Sequence, residues 1–178
     1  VIACLKAGLH CVVGTTGMSG SQLTAIESET RSSGRNCFQA PNFAIGAVLM
    51  MEVSTAVARY MPHCEIVELH HDQKLDAPSG TALRTAELIA EARLESPEPP
   101  GPEGHAARGV VHKGIPIHSV RLPGLVAHQE IIFGGQGQTL SLRHDAISRE
   151  SFMPGVVLAV RRVASLEDGL VIGLEKIM

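Results

Sequence analysis

The stretch Glu65-Ile66-Val67-Glu68-Leu69-His70-His71-Asp72-Gln73-Lys74-Leu75-Asp76-Ala77-Pro78-Ser79-Gly80-Thr81-Ala82 decides how the chain is read. Its first part sets apolar Ile66, Val67 and Leu69 among polar Glu65, Glu68 and His70, which predicts a strand. Asp76-Ala77-Pro78-Ser79-Gly80 is turn chemistry, because proline fixes φ and glycine admits backbone that other residues resist. From Thr81 to Ala90 apolar residues recur at helical spacing, with Ser79 placed as the N-cap.

The order is therefore strand, polar loop, helix start. Two imidazoles (His70, His71) and an ammonium (Lys74) leave the carboxyl end of the strand, and a helix N-terminus follows. Exposed N–H groups and the positive end of a helix dipole suit a carboxylate or phosphate. A histidine and a lysine within reach can deliver protons to an acid held there. A His pair at a strand end more often serves structure or solvation, so the loop chemistry alone leaves both readings open.

Composition narrows the class. With 178 residues, 44% hydrophobic and 19% charged, the chain can bury a core in one domain or two small ones. Aromatics are 3%, with one Tyr and no Trp, so the core is aliphatic and base-stacking surfaces are scarce. Net charge is −3 with no sustained basic run, which argues against a nucleic-acid partner. Cys4, Cys11, Cys37 and Cys64 show no Cys-x-x-Cys spacing and suit reduced thiols. The longest apolar run, Phe43 to Met51, is too short to span a bilayer, and no signal-peptide pattern opens the chain. The expectation is a cytoplasmic protein without a membrane partner.

The opening Val1-Ile2-Ala3-Cys4-Leu5-Lys6-Ala7-Gly8 has no methionine and lies within a helical pattern ended by Gly8, so a fragment of a longer protein is expected. His10 to Val13 reads as a buried parallel strand delivering the turn Gly14-Thr15-Thr16-Gly17 at its carboxyl edge. Ser19 to Ser33 reads as a helix, and Asn36 to Gln39 as a strand leading into Ala40-Pro41-Asn42-Phe43. Ala44 to Tyr60 is apolar over most of a helix circumference, which predicts a buried helix under a sheet.

Thr81 to Arg93 is an amphipathic helix, and Leu94 to Gly109, with Pro97, Pro99, Pro100 and Pro102, reads as a loop. Ile115–Leu122, Leu125–Phe133 and Gln138–His144 alternate and predict an antiparallel meander. With Glu65–His70 they would form a four-stranded mixed sheet. A last helix over Ser148 to Val163 and a short strand over Gly169 to Leu174 close the chain. Nine histidines raise a metal reading, but none shows His-x-x-x-His spacing or a partnered Cys, so no metal is expected.

His70-His71-x-x-Lys74-x-Asp76-x-Pro78-Ser79-Gly80-Thr81-Ala82 resembles the signature of the dihydrodipicolinate reductase (4-hydroxy-tetrahydrodipicolinate reductase) family of lysine and diaminopimelate biosynthesis. Gly14-Thr15-Thr16 and Ala40-Pro41-Asn42-Phe43 resemble the family's segments on the cofactor side. Met18 stands where many members carry Phe. The resemblance implies hydride transfer from NADH or NADPH to a small cyclic dicarboxylic imine. It makes His70 the acid/base residue and Lys74 the proton donor, with His71 on the substrate and Gly80 and Thr81 holding a carboxylate.

The implied fold is α/β. Residues 1–43 and 151–178 would be the remainder of a Rossmann-like dinucleotide-binding domain, and 44–150 an α+β substrate-binding domain whose sheet builds a homotetramer. The family's opening strand and glycine-rich turn are absent, so the chain reads as roughly the C-terminal two thirds of such a reductase. Two other classes stay in view. One is a non-catalytic acid-binding and oligomerisation module without cofactor binding. The weaker one is a metal-dependent hydrolase using His70 and His71.

Overall fold

The computed structural model describes residues 1–15, 17–98 and 106–178. In chain order the elements are α1 (Ile2–Lys6), β1 (Cys11–Val13), α2 (Gly20–Ser33), β2 (Cys37–Gln39) and α3 (Ile45–Ala58). Then come β3 (His63–His70), α4 (Gly80–Ala92), β4 (Val110–His112), β5 (Ile115–Arg121), β6 (Ala127–Gly135) and β7 (Gln138–Ala146). Helix α5 (Met153–Arg162) and strand β8 (Leu170–Ile172) complete the chain. Two compact units result: Val1–Val48 with Glu150–Met178, and Leu49–Arg149.

The first unit is a parallel three-stranded sheet in the order β1-β2-β8. Leu5 of α1 and Ile26 of α2 pack on Cys37 to cover one face. Helix α2 starts where Ser19 accepts from the Gln22 amide while the Gln22 side chain accepts from the Ser19 amide, a capping box. It ends at Gly34, whose φ of +63° is the left-handed conformation that glycine adopts without a Cβ penalty. The expected buried strand at the Gly-Thr-Thr turn is only half-buried. Strand β1 is at the sheet edge and pairs with β2 alone among the described residues, so one side lacks cover.

The second unit carries a mixed sheet of five strands, not the expected four, in the order β4-β5-β3-β6-β7. The meander is corrected too. Strands β5 and β6 do not pair, because β3 lies between them, parallel to β5 and antiparallel to β6. Alternation along a strand tells which face a side chain takes and is silent on which strand lies beside it. The additional strand, β4, pairs with β5 through the two-residue turn Lys113-Gly114, with φ of +53° and +75°. Both central residues of that turn are left-handed, and lysine in place of the usual Asn hides it from a sequence reading.

Helix α4 lies on β3, β4 and β5. It places Ala82, Ala86 and Ile89 against Ile66, Ile117 and Ile131 in an aliphatic core closed by Phe133. The expected full burial of α3 is not found. Ala47, Val48, Ser54 and Ala58 are buried, while Leu49 and Val53 are about half exposed at 48% and 47%. Residues 93–98 carry no helix or strand, and the stretch holding Pro99, Pro100 and Pro102 lies outside the described residues. Among the described residues no helix is long and apolar enough to cross a membrane, and no group of three or more His, Cys, Asp or Glu is arranged to hold a metal ion.

Candidate functional site

Side chains alternate across a strand, so Ile66, Glu68 and His70 share the face of β3 that meets α4, while Glu65, Val67 and Leu69 take the other. Glu68 thereby stands at a core position, and its side chain is wholly buried. A buried carboxylate is costly unless paired and hydrogen-bonded, and Glu68 is both. Its Oε2 takes the His70 Nδ1 at 2.5 Å and Arg121 Nη1 at 2.9 Å. Its Oε1 takes Arg121 Nη2 at 2.8 Å and the Ser79 amide at 3.3 Å. Burial on its own would raise the carboxyl pKa, but donation from His70, Arg121 and Ser119 outweighs it and holds the group at about 2.

Arg121 closes β5 and reaches across to the loop after β3. Its Nε donates to the Lys74 carbonyl at 3.3 Å and its Nη2 to the Asp76 carbonyl at 2.7 Å. With Nη1 also on the Val120 carbonyl at 2.8 Å, all five guanidinium N–H groups have acceptors. Lys74 bridges both carboxylate oxygens of Asp76 at 2.7 Å, which lowers the Asp76 pKa. The Lys74 side chain is 21% exposed and that of Asp76 63%. The Lys74 amide donates to the His71 carbonyl at 3.2 Å, closing a turn, and the Ala77–Pro78 peptide is cis. The half-buried His71 imidazole has no hydrogen bond to any described residue.

At the start of α4 the Ser79 hydroxyl accepts from the Ala82 amide at 3.2 Å, as the spacing predicted. The first intrahelical bond runs from the Leu83 amide to the Ser79 carbonyl, so the Gly80 amide stands ahead of the first hydrogen-bonded turn. The helix end is tied to the sheet by Gln129, opposite Glu68 on β6, whose Nε2 donates to Thr85 Oγ1, which donates in turn to the Thr81 carbonyl. Ser79→Ala is expected to cost about 1 kcal/mol of stability, read by urea unfolding, because the Ala82 amide loses its acceptor at a buried position.

Glu68 and Arg121 thus tie together His70, the Lys74 carbonyl and the Ser79 amide, and His71, Gly80 and Thr81 are chain neighbours of these anchored residues. Neither Glu68 nor Arg121 was among the residues singled out from the sequence. The available signal was parity: Glu68 shares a face with Ile66 and His70, an acidic residue where the pattern asks for an apolar one.

In the first unit, Gly14 and Thr15 follow β1 and Ala40 to Phe43 follow β2, at the same carboxyl edge of two adjacent parallel strands. Thr16 lies outside the described residues. Gln39 Nε2 donates to the Thr15 carbonyl at 3.0 Å, joining the two segments. A Cβ on Gly14 would meet the Phe43 ring at 3.3 Å, so the small residue lets the two lie close. Phe43 stands edge-on to Phe38, 6.1 Å between centroids, and the Asn42 carboxamide accepts from the Ala44 amide at 2.9 Å. Gly155 of α5 presses on the Phe43 carbonyl, where an added Cβ would stand 2.1 Å away. Gly155→Ala is therefore expected to destabilise this unit by about 1–3 kcal/mol through overpacking, measured by urea unfolding.

Comparison with known proteins finds relatives of the chain as a whole. A family model described as "Dihydrodipicolinate reductase, C-terminus" matches residues 46–178. The curated 4-hydroxy-tetrahydrodipicolinate reductase of Halalkalibacterium halodurans is 52% identical over 177 residues, 98% of this chain and 67% of that protein. That of Bacillus subtilis (strain 168) is 53% identical over 177 residues, 98% of this chain and 66% of its own length. A solved structure of a dipicolinate-bound dihydrodipicolinate reductase from Paenisporosarcina sp. TG-14 superposes with a TM-score of 0.85 at 50% identity, covering 98% of this chain and 67% of that one. The chain spans about two thirds of the length of these relatives.

Proposed function

Because this chain belongs to the dihydrodipicolinate reductase family, we propose that it carries the substrate-reducing part of a 4-hydroxy-tetrahydrodipicolinate reductase. The observation that carries this reading is the loop from His70 to Thr81, held against a buried Glu68–Arg121 pair at a helix N-terminus. It couples proton-bearing side chains to amides suited to a carboxylate. The dipicolinate bound to the Paenisporosarcina relative is a ring dicarboxylate, which supports a small cyclic dicarboxylic imine as substrate here.

Residues 1–43 with 151–178 fit the remainder of a Rossmann-like nucleotide domain, and 44–150 a substrate domain. The strand-end pair Gly14-Thr15 and Ala40–Phe43 fits a dinucleotide at the carboxyl edge of a parallel sheet, where such ligands bind. The family resemblance adds Thr16 to that side. NADH or NADPH bound there supplies the hydride. The chain's own residues do the rest. Gly80, Thr81 and His71 hold a substrate carboxylate, Lys74 Nζ donates the proton that completes reduction, and His70 exchanges protons at Nε2 because its Nδ1 is engaged by Glu68. Val111 and Ile132 stay exposed on the mixed sheet, which supports its use in a homotetramer.

A second reading, an acid-binding and assembly module without cofactor binding, is favoured by the His70–Thr81 loop and the mixed sheet both falling within the unit Leu49–Arg149. Titration of the 178-residue chain with NADH and NADPH, with and without pyridine-2,6-dicarboxylate, separates the two. Nucleotide binding strengthened by the dicarboxylate supports a reductase in this chain alone. Dicarboxylate binding without nucleotide supports the module, and binding of neither ligand removes both readings.

A further inference from the structure

We propose that Glu68 and Arg121 are positioning residues for the proposed reduction, with the pair setting the His70 tautomer and anchoring the backbone that carries Lys74. This rests on the reading of His70 and Lys74 given above. The network is complete on both sides. Glu68 receives donors from His70, both terminal nitrogens of Arg121, the Ser79 amide and Ser119, at least as many as the lone pairs of its two oxygens. Arg121 spends all five of its N–H groups on Glu68, Val120, Lys74 and Asp76.

An ion pair that served only to hold two strands together would need neither the imidazole nor the loop. Here one oxygen of the carboxylate is shared between the arginine and His70. An ionised carboxylate only accepts, so the proton between Glu68 and the neutral imidazole resides on Nδ1, and Nε2 is left as the exchanging atom. Arg121 meanwhile grips the Lys74 and Asp76 carbonyls, so the turn bearing the ammonium is registered against the same carboxylate. A lysine at position 121 would keep the charge but could not span these acceptors, because the guanidinium fork is planar and pre-organised.

The test is the protonation pattern of His70 in the 178-residue chain labelled with 15N-histidine, the His70 signals being assigned by their loss in His70→Gln. At a pH where the ring is neutral, wild type is expected to carry its proton on Nδ1. Glu68→Gln, whose amide can donate to Nδ1, is expected to move it to Nε2. Turnover with NADH or NADPH should then fall by about 10²–10⁴-fold, with KM changed less than about threefold, the range seen when an imidazole loses its orienting carboxylate. Arg121→Lys should keep the Nδ1–H form yet weaken pyridine-2,6-dicarboxylate binding by about tenfold or more.

An Nε2–H ring in the wild-type chain overturns the proposal without any variant, which covers the case of a Glu68→Gln protein that does not fold. A tautomer that switches with no change in turnover overturns it as well. The spectrum needs neither substrate nor cofactor. Loss of dicarboxylate binding and turnover in wild type would therefore defeat the functional reading while the tautomer result stood.

Discussion

Arg121→Met is expected to lower the unfolding free energy near neutral pH by about 3–5 kcal/mol, because one half of a buried pair leaves while the other stays charged and buried. The Glu68 side chain has no exposure through which solvent could compensate. Three of the acceptors that Arg121 satisfies are carbonyls of the strand and loop, and they lose their donors in the same step. The double variant Glu68→Leu/Arg121→Met is expected to recover most of the loss, since a matched apolar pair leaves no orphaned charge. Urea unfolding with an unchanged slope gives the numbers.

The sign of the pH dependence follows from Glu68, whose carboxyl is held at about 2 in the folded chain against an ordinary 4.5. The folded state binds fewer protons than the unfolded one between those values. The contribution, about 3 kcal/mol, is full above pH 4.5 and is lost as pH falls through 2. The gap between wild type and Arg121→Met should accordingly narrow in acid. A gap that holds constant from pH 7 to pH 3 would mean that the arginine stabilises the fold by packing and not through the carboxylate.

Lys74→Ala is expected to cut kcat by about 10²–10⁴-fold while changing stability by less than about 1 kcal/mol. The separation follows from the surroundings. The ammonium pairs with Asp76, a carboxylate mostly in water, and exposed pairs of this kind contribute little to folding. Its backbone, in contrast, is pinned by Arg121 and by the turn to His71, so the alanine variant keeps the loop in place and removes only the donor. Lys74→Arg should not restore turnover, because a guanidinium keeps its proton at working pH. Turnover assays beside urea unfolding of the same samples read both quantities, and an unchanged kcat would take Lys74 out of the proposed chemistry.

What could be read in advance was local. The strand ending at His70, the Ser79 cap and the helix beyond it all follow from spacings of two to four residues, and the structure has each where it was expected. Partners distant in the chain were not legible. Nothing in the alternation of residues 115–133 says that β3 enters between β5 and β6. Parity put Glu68 and His70 on one face, but the arginine that neutralises Glu68 comes 53 positions later. Helix α3 shows the converse failure, since an apolar circumference predicts burial all round and Leu49 and Val53 remain open. Composition describes what an element can bury, and the neighbours decide how much of it is covered.

The central place of β3 has a consequence for how the chain is made. As it leaves the ribosome, β3 has neither of its neighbours, for β5 and β6 are both synthesised well after α4. Helix α4 can form at once from local contacts, whereas the sheet must wait for pairings that close long loops, the slow kind of contact in folding. During that interval Ile66, Val67 and Leu69 form an unpaired apolar strand, the type of segment that sticks to copies of itself. Glu65 and Glu68 interrupt it with charge, as gatekeeper residues do. Glu68 therefore acts twice in the life of the molecule, first hydrated and repelling other nascent chains, then buried beneath His70 once Arg121 arrives.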